Sequence, residues 1–353
     1  MIFTTITASE FREFADHSPY KSFMQTPEIA KLREKSGWVP YYFAVKEGDK
    51  ILAATMAVAK PTFLGKSTFY TPGGPLLDYE NTALLNFFIK NLKKYAKSHN
   101  GYVLQIDPYY ELMERDRNGA IVEGGFNRTQ VIKSLEALDF RPLRHFSQPK
   151  YLFVMDINDR TPDEILMDFK RNTRNHVRKA AKMGVTVREL KREELDKLKK
   201  ITEATSERRH FTDRPLSYYR QMYDLFHDRG EVQFIIAEAE VGGKLTPLSA
   251  AMFMTYGDEV IYLFSGSDEK YMREYNAQYA IQWHMIKYAA EHGFKKYNFY
   301  GIQGLPDPNA KDYGIYEFKK GFGGHVVELL GSYELPLGPL YYLRSLLSTL
   351  RHH

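Results

Sequence analysis

The side chains able to do chemistry fall into a few spaced patterns. Between Phe169 and Arg188 there are seven basic residues and no acidic one. Lys170, Arg174, Arg178 and Lys182 recur at steps of four, a stripe that sets like charges side by side on one helical face. A solvated face is the ordinary reading of such a run; one without local partners also suits a polyanion, although no aromatics interleave as they do where single strands stack. Arg214 and Tyr218 stand four apart at the start of a helix and share a face. Tyr262 and Phe264 lie two apart on a strand and point the same way. Asp107 precedes a proline, where a turn aspartate is common, and Lys319 next to Lys320 reads by itself as solvated. The histidines, among them His145, His210, His227, His284 and His325, form no pair at metal-ligand spacing. Gly321-Phe322-Gly323-Gly324 lacks the Lys-Ser/Thr ending of a phosphate loop, and no Gly-x-Ser-x-Gly elbow occurs. The chain has no cysteine, which excludes a disulfide framework, a thiolate zinc site and a cysteine nucleophile.

The elements that must position these residues repeat. Tyr41 to Val45 and Ile51 to Ala59 read as strands around the turn Glu47-Gly48-Asp49-Lys50, then a strand at Lys66 to Tyr70, a helix from Asn81 to Ser98 and a strand at Tyr102 to Ile106. Val232 to Glu238, Pro247 to Thr255, Glu259 to Phe264, a helix from Asn276 to His292 and a strand at Tyr297 to Tyr300 follow the same order. Helices capped by Ser9 and by Thr26 with Pro27 precede the first set, and one near Thr129 to Leu138 follows it. Between the sets lie a helical stretch from Thr161 to Gly184, a strand at Val185 to Leu190, and helices at Glu193 to Arg208 and Leu216 to Arg229. An apolar helix around Leu340 to Leu350 either docks on a core or lies on a membrane surface. At 353 residues, 26% charged, with net charge +5, the chain suits two soluble domains. No apolar run reaches the roughly 18 residues of a membrane span, and no signal peptide is visible, so a cytoplasmic location is expected.

Several fragments, taken in order, resemble the FemABX family of peptidoglycan aminoacyltransferases. They are Ala30-Lys31 with Gly37-Trp38, the run from Tyr70 through Pro72-Gly73-Gly74-Pro75 to Asp78, Leu104-Gln105-Ile106-Asp107-Pro108, Phe169 to Ala180, Arg214 to Tyr219, and Tyr316-Glu317-Phe318-Lys319-Lys320-Gly321-Phe322-Gly323. The resemblance spans nearly the whole chain. It implies an α/β (α+β) fold of two tandem GNAT-like domains, acyl-CoA N-acyltransferase-like in build, without the coiled-coil arm of some members. The first domain is expected over 1–149 with the tail 335–353, the second over 150–334, and a substrate cleft between the copies.

The implied reaction moves Ala, Ser or Gly from aminoacyl-tRNA to the stem-peptide lysine of UDP-MurNAc-pentapeptide or lipid II. The resemblance gives Lys319 the ester or oxyanion contact and makes Phe318 the wall beside it. Asp107 would orient the amine or take its proton, Arg214 and Lys31 would face phosphate, and Tyr218, Tyr262 and Phe264 would line the precursor site, where Phe264 replaces a tyrosine common in the family. Lys170, Arg174, Arg178 and Lys182 would meet the tRNA acceptor stem. No cofactor and no metal are implied; a transient contact with the inner membrane surface is. Two rivals stay open: a CoA-dependent N-acyltransferase, weakened because Asn276 and Gln278 replace the small residues of a CoA loop in Arg273-Glu274-Tyr275-Asn276-Ala277-Gln278, and a non-catalytic RNA-binding protein.

Overall fold

The chain begins with β1 (Ile2–Thr5), α1 (Ala8–His17), α2 (Pro27–Glu34), β2 (Val39–Glu47), β3 (Lys50–Phe63), β4 (Lys66–Gly73), α3 (Thr82–Ser98), β5 (Gly101–Pro108), β6 (Glu111–Glu114), α4 (Gln130–Glu136) and β7 (Arg141–Pro142). The structure is a computed structural model that describes residues 1–143, 148–209 and 212–343. Thr7, not Ser9, caps α1. Its hydroxyl accepts from the Glu10 amide at 3.1 Å and the Glu10 carboxylate accepts from the Thr7 amide at 2.9 Å, a reciprocal box that draws Ser9 into the helix. Thr26 caps α2 ahead of Pro27 as expected. In α3, Leu85, Phe88, Ile89, Leu92 and Ala96 are buried at three- and four-residue steps, the stripe that fixes this helix on its sheet.

The chain continues with β8 (Tyr151–Asp156), α5 (Pro162–Asp168), α6 (Arg171–Lys182), β9 (Thr186–Glu189), α7 (Leu195–Arg209), α8 (Leu216–Phe226), β10 (Val232–Val241), β11 (Lys244–Tyr256), β12 (Glu259–Ser267), α9 (Glu269–Tyr275), α10 (Ala277–Glu291), β13 (Lys296–Ile302), α11 (Tyr313–Lys320), β14 (His325–Leu329) and β15 (Tyr333–Pro336). The helical stretch expected from Thr161 to Gly184 breaks at Phe169, which is extended and 2% exposed. Its ring packs edge-on against Trp283 and Phe322, a burial that an unbroken helix would forgo.

The chain divides into two units, Met1–Glu114 with Ile121–Lys150 and Val327–His353, and Arg115–Ala120 with Tyr151–Val326. The first carries a sheet in the order β1-β2-β3-β4-β5-β15-β7, and the second one in the order β8-β13-β12-β11-β10-β9. Each contains an antiparallel three-strand run, a long helix and a strand returning parallel to the third: β4 with β5 in one, β12 with β13 in the other. That is the repeat legible in the sequence. The C-terminal boundary differs from the expected one. Residues 327–334 go with the first unit because Val327, Glu328 and Leu329 pair with Glu114, Met113 and Glu111. Residues 115–120 go with the second, where the Arg117 carbonyl accepts from the Tyr316 hydroxyl at 2.6 Å.

Among the described residues the longest helix is α3, with 17 residues, so no helical arm is present among them. None is long and apolar enough to cross a membrane. Of the tail helix expected at Leu340 to Leu350, residues 339–343 are helical; the rest, with His145 and His210, lies outside the described residues.

Candidate active site

In the second unit, Phe318 and Lys319 sit in the last turn of α11, which Tyr316 anchors by packing its ring on Phe153. Lys319 is 5% exposed. Its Nζ donates to the carbonyl of Gly301 at 2.6 Å and to that of Tyr300 at 3.3 Å. Burial pulls its pKa down to about 7.

Lys319 and Phe318 line a cavity of about 400 Å³ together with Tyr262, Tyr300, Arg209 and Gln278. The cavity exists because β12 and β13 part. Their parallel pairing covers only Glu259–Ile261 against Lys296–Asn298. Beyond it β12 bulges: Tyr262 stands opposite Phe253 and Phe264 opposite Met252, which leaves Leu263 extra. The bulge overturns the expectation that Tyr262 and Phe264 face the same way. Tyr262 packs on Phe253 and donates to the Ser265 hydroxyl. Phe264 instead meets Tyr218 edge-on at 6.1 Å.

Arg214 precedes α8 rather than lying on it, yet it joins this second group. Its guanidinium stands 5.2 Å from the Tyr218 ring and 5.8 Å from that of Phe264. Asp213 fixes the segment by accepting from Lys199, Thr202 and Tyr219, each at 2.8 Å. Of the sequence-predicted residues of this unit, Lys319, Phe318 and Tyr262 therefore gather at the cavity, and Arg214, Tyr218 and Phe264 beside α8.

The basic stripe is less uniform than its spacing implies. Lys170 pairs with Glu317 at 3.1 Å. Arg174 donates to the carbonyls of Met167 and Phe169 at 2.8 and 2.5 Å, closing the end of α5. Arg178 and Lys182 are exposed. Aromatic rings that are not adjacent in sequence lead from this helix toward the cavity: His176 stacks on Tyr279 at 4.6 Å, and Tyr279 lies 5.0 Å from Phe318.

In the first unit, Asp107 is the next-to-last residue of β5 and is 4% exposed. One carboxylate oxygen accepts from the Tyr70 hydroxyl and the other from the Gly73 amide at 2.5 Å. Gly73 turns that amide inward with φ +66°, and a Cβ there would come within 2.6 Å of the Ser22 hydroxyl. Burial, opposed by these two hydrogen bonds and by Arg33, pushes the pKa of Asp107 up to about 7. Arg33 lies 5.1 Å from the Tyr70 ring and 5.9 Å from that of Trp38. Lys31 is exposed on α2 and takes no part in this cluster.

The model of the FemAB family matches residues 6–246 and 239–349. The chain belongs to the FemAB family. Curated FemAB relatives include the aminoacyltransferase FemA of Staphylococcus aureus strains bovine RF122 / ET3-1 and N315, each 28% identical over 408 positions and covering 97% of both chains. Those 408 positions exceed the 353 residues here, so these relatives carry segments with no counterpart in this chain. The crystal structure of FemX superposes with a TM-score of 0.85 at 24% identity, over 97% of this chain and 99% of its own. A tandem GNAT protein from the clavulanic acid biosynthesis pathway does so at 0.58 and 12%, over 96% and 99%. These two likenesses are of fold, and they bear out the tandem GNAT-like architecture. As a FemAB protein the chain is an aminoacyltransferase.

Sequence reasoning did not single out Arg33, Tyr70 or Tyr300, which the structure sets beside Asp107 or at the cavity wall. Tyr70 lies inside the Tyr70 to Asp78 run and could have been singled out there. Tyr300 carries no signal in spacing, because its pairing with β8 is interrupted between Asn298 and Gly301.

Proposed function

We propose that the chain transfers alanine, serine or glycine from aminoacyl-tRNA to the stem-peptide lysine of a peptidoglycan precursor, UDP-MurNAc-pentapeptide or lipid II, building the interpeptide bridge in the cytoplasm. The observation that carries this reading is Lys319, a buried amine held by two carbonyls at the wall of a cavity large enough for an aminoacyl ester. The relatives called aminoacyltransferase FemA support it.

The reaction is ester aminolysis. The deprotonated lysine nitrogen attacks the ester carbonyl carbon and a C–N bond forms, leaving an oxyanion. Collapse breaks the C–O bond to the ribose, and the proton shed by nitrogen ends on the ribose oxygen. A free lysine amine has a pKa near 10.4 and must lose a proton before attack. Charged Lys319 would donate to the oxyanion, a contact typically worth about 3–4 kcal/mol in such reactions. Phe318 and Tyr262 would wall the ester. For Asp107 to take a proton, as the resemblance implies, it would have to give up its contact with Tyr70 or Gly73. Arg214 can grip a diphosphate through its fork while Tyr218 and Phe264 brace its other face; Lys31, exposed on α2, would also face phosphate. Arg178 and Lys182 would meet the acceptor stem, and the rings from His176 to Phe318 could stack its unpaired end. Lys170 and Arg174 would contribute to the field there while serving the fold.

The assay is direct. Purified protein receives alanyl-, seryl- or glycyl-tRNA with either precursor, and branched product is read by mass spectrometry. Absence of product from all three donors on both acceptors would sink the proposal. The CoA reading is disfavoured by Asn276, which is buried in the left-handed conformation at the start of α10, and by Gln278, whose side chain occupies the cavity wall. Acyl transfer stimulated by acyl-CoA would revive it.

A further inference from the structure

We infer that a bulge at Phe299–Tyr300 of β13, pinned by Asn298, is what aims Lys319, so that Asn298 and Tyr300 are positioning residues for transfer. The inference rests on the reading of Lys319 as the group that acts on the ester. Against β8, Asn298 stands opposite Val154 and Gly301 opposite Leu152, so Phe299 and Tyr300 share the place of one residue facing Phe153. Tyr300 has φ 63°, a conformation a bulky residue keeps only where its surroundings hold it. The hold is local: the Oδ1 of fully buried Asn298 accepts from the Tyr300 amide at 2.8 Å.

The consequence is carried by the carbonyls. In a regular strand, consecutive carbonyls point to opposite sides and cannot share one ligand. Here the carbonyls of Tyr300 and Gly301 both reach Lys319 Nζ. A tetrahedral nitrogen with two directions taken has one left for the cavity. The ammonium offers a hydrogen-bond donor along it, and the neutral amine offers a lone pair. The same bulge lies just where pairing with β12 stops, after Ile261 and Asn298. One irregularity thus opens the cavity and sets the lysine at its wall.

The test reads Lys319 without needing any substrate. The full-length protein is labelled with acetic anhydride across a pH series, and modification of Lys319 is quantified by mass spectrometry to give its titration midpoint. Tyr300→Gly and Tyr300→Asn, which tolerate positive φ, should keep the wild-type midpoint. Tyr300→Val cannot hold that backbone, and Asn298→Ala removes the pin. Each should lower the midpoint by about one pH unit, because carbonyl oxygens bind the ammonium more strongly than the amine. If Tyr300→Val does not fold, Asn298→Ala carries the measurement. An unchanged midpoint in Asn298→Ala, an upward move, or a Tyr300→Gly variant that shifts as Tyr300→Val does would overturn the inference. Transfer assays on the same variants separate the two readings. A shifted midpoint in a protein that transfers nothing would leave the positioning intact and remove the proposed reaction.

Discussion

The two units reach the same point in their sheets and then diverge. In the first, β4 and β5 stay paired from Ser67 and Gly101 to Gly73 and Pro108, and the strand end closes on Asp107. In the second, the corresponding strands separate after Ile261 and Asn298, and a cavity opens whose wall includes Lys319. Each place holds a deeply buried group whose charge burial opposes. Asp107 is held by two donors and its pKa is pushed up to about 7; Lys319 is held by two acceptors and its pKa is pulled down to about 7. Burial penalises whichever form is charged, so it moves an acid and a base toward each other. Repeating a fold therefore preserved the position of the joint but not what the joint does: a sealed end in one unit, an accommodating one in the other.

The largest effect should come from the open joint. Lys319→Met replaces a buried amine with an apolar chain of similar length, so folding should survive. Single-turnover transfer should fall about 100- to 1,000-fold, the scale of losing one oxyanion donor. Lys319→Arg should not rescue it, because two carbonyls cannot satisfy a five-donor fork. A loss under tenfold in Lys319→Met would remove Lys319 from the chemistry.

Stability against pH should separate the two groups next. Asp107 has a folded pKa raised from 3.8, so between about pH 4 and 7 the folded chain keeps a proton that the unfolded chain releases. Its contribution falls as pH rises through that window. Lys319 has a folded pKa lowered from 10.5, so between about pH 7 and 10 the unfolded chain holds the extra proton. Its contribution rises with pH there. Urea unfolding should show Asp107→Asn flattening the lower limb and Lys319→Met the upper one, each on the order of a few kcal/mol. Variants that flatten neither limb, or the opposite ones, would break the comparison.

Much of this was legible in the chain because it rests on regular periodicity. The repeated order of strands and helices and the cap at Thr26 need only helix and strand spacing. What failed needed departures from it. Leu263 is an extra residue in β12, and it sends Phe264 away from Tyr262; nothing in Tyr262-Leu263-Phe264-Ser265 marks a bulge. Arg33 rather than Lys31 approaches Asp107 because of the register of α2, which two neighbouring cations do not reveal. The run from Phe169 to Arg188 contains no acidic residue, and the partner of Lys170, Glu317, is remote in sequence.

The smallest predicted difference is the most discriminating, since it deletes the same atom in each unit. Tyr70→Phe takes a donor from a buried carboxylate whose other oxygen is already committed to the Gly73 amide. Such a loss typically costs about 1–3 kcal/mol, and it should raise the Asp107 midpoint further, because the hydroxyl favours the charged form. Tyr262→Phe removes a hydroxyl that donates to Ser265, whose own hydroxyl can turn toward the cavity. The cost there should be under about 1 kcal/mol. Urea midpoints for the two variants, measured side by side at pH 6, decide it. Equal losses would mean that the second joint is as sealed as the first, and the contrast between the units would then lie in the charge of the buried group alone.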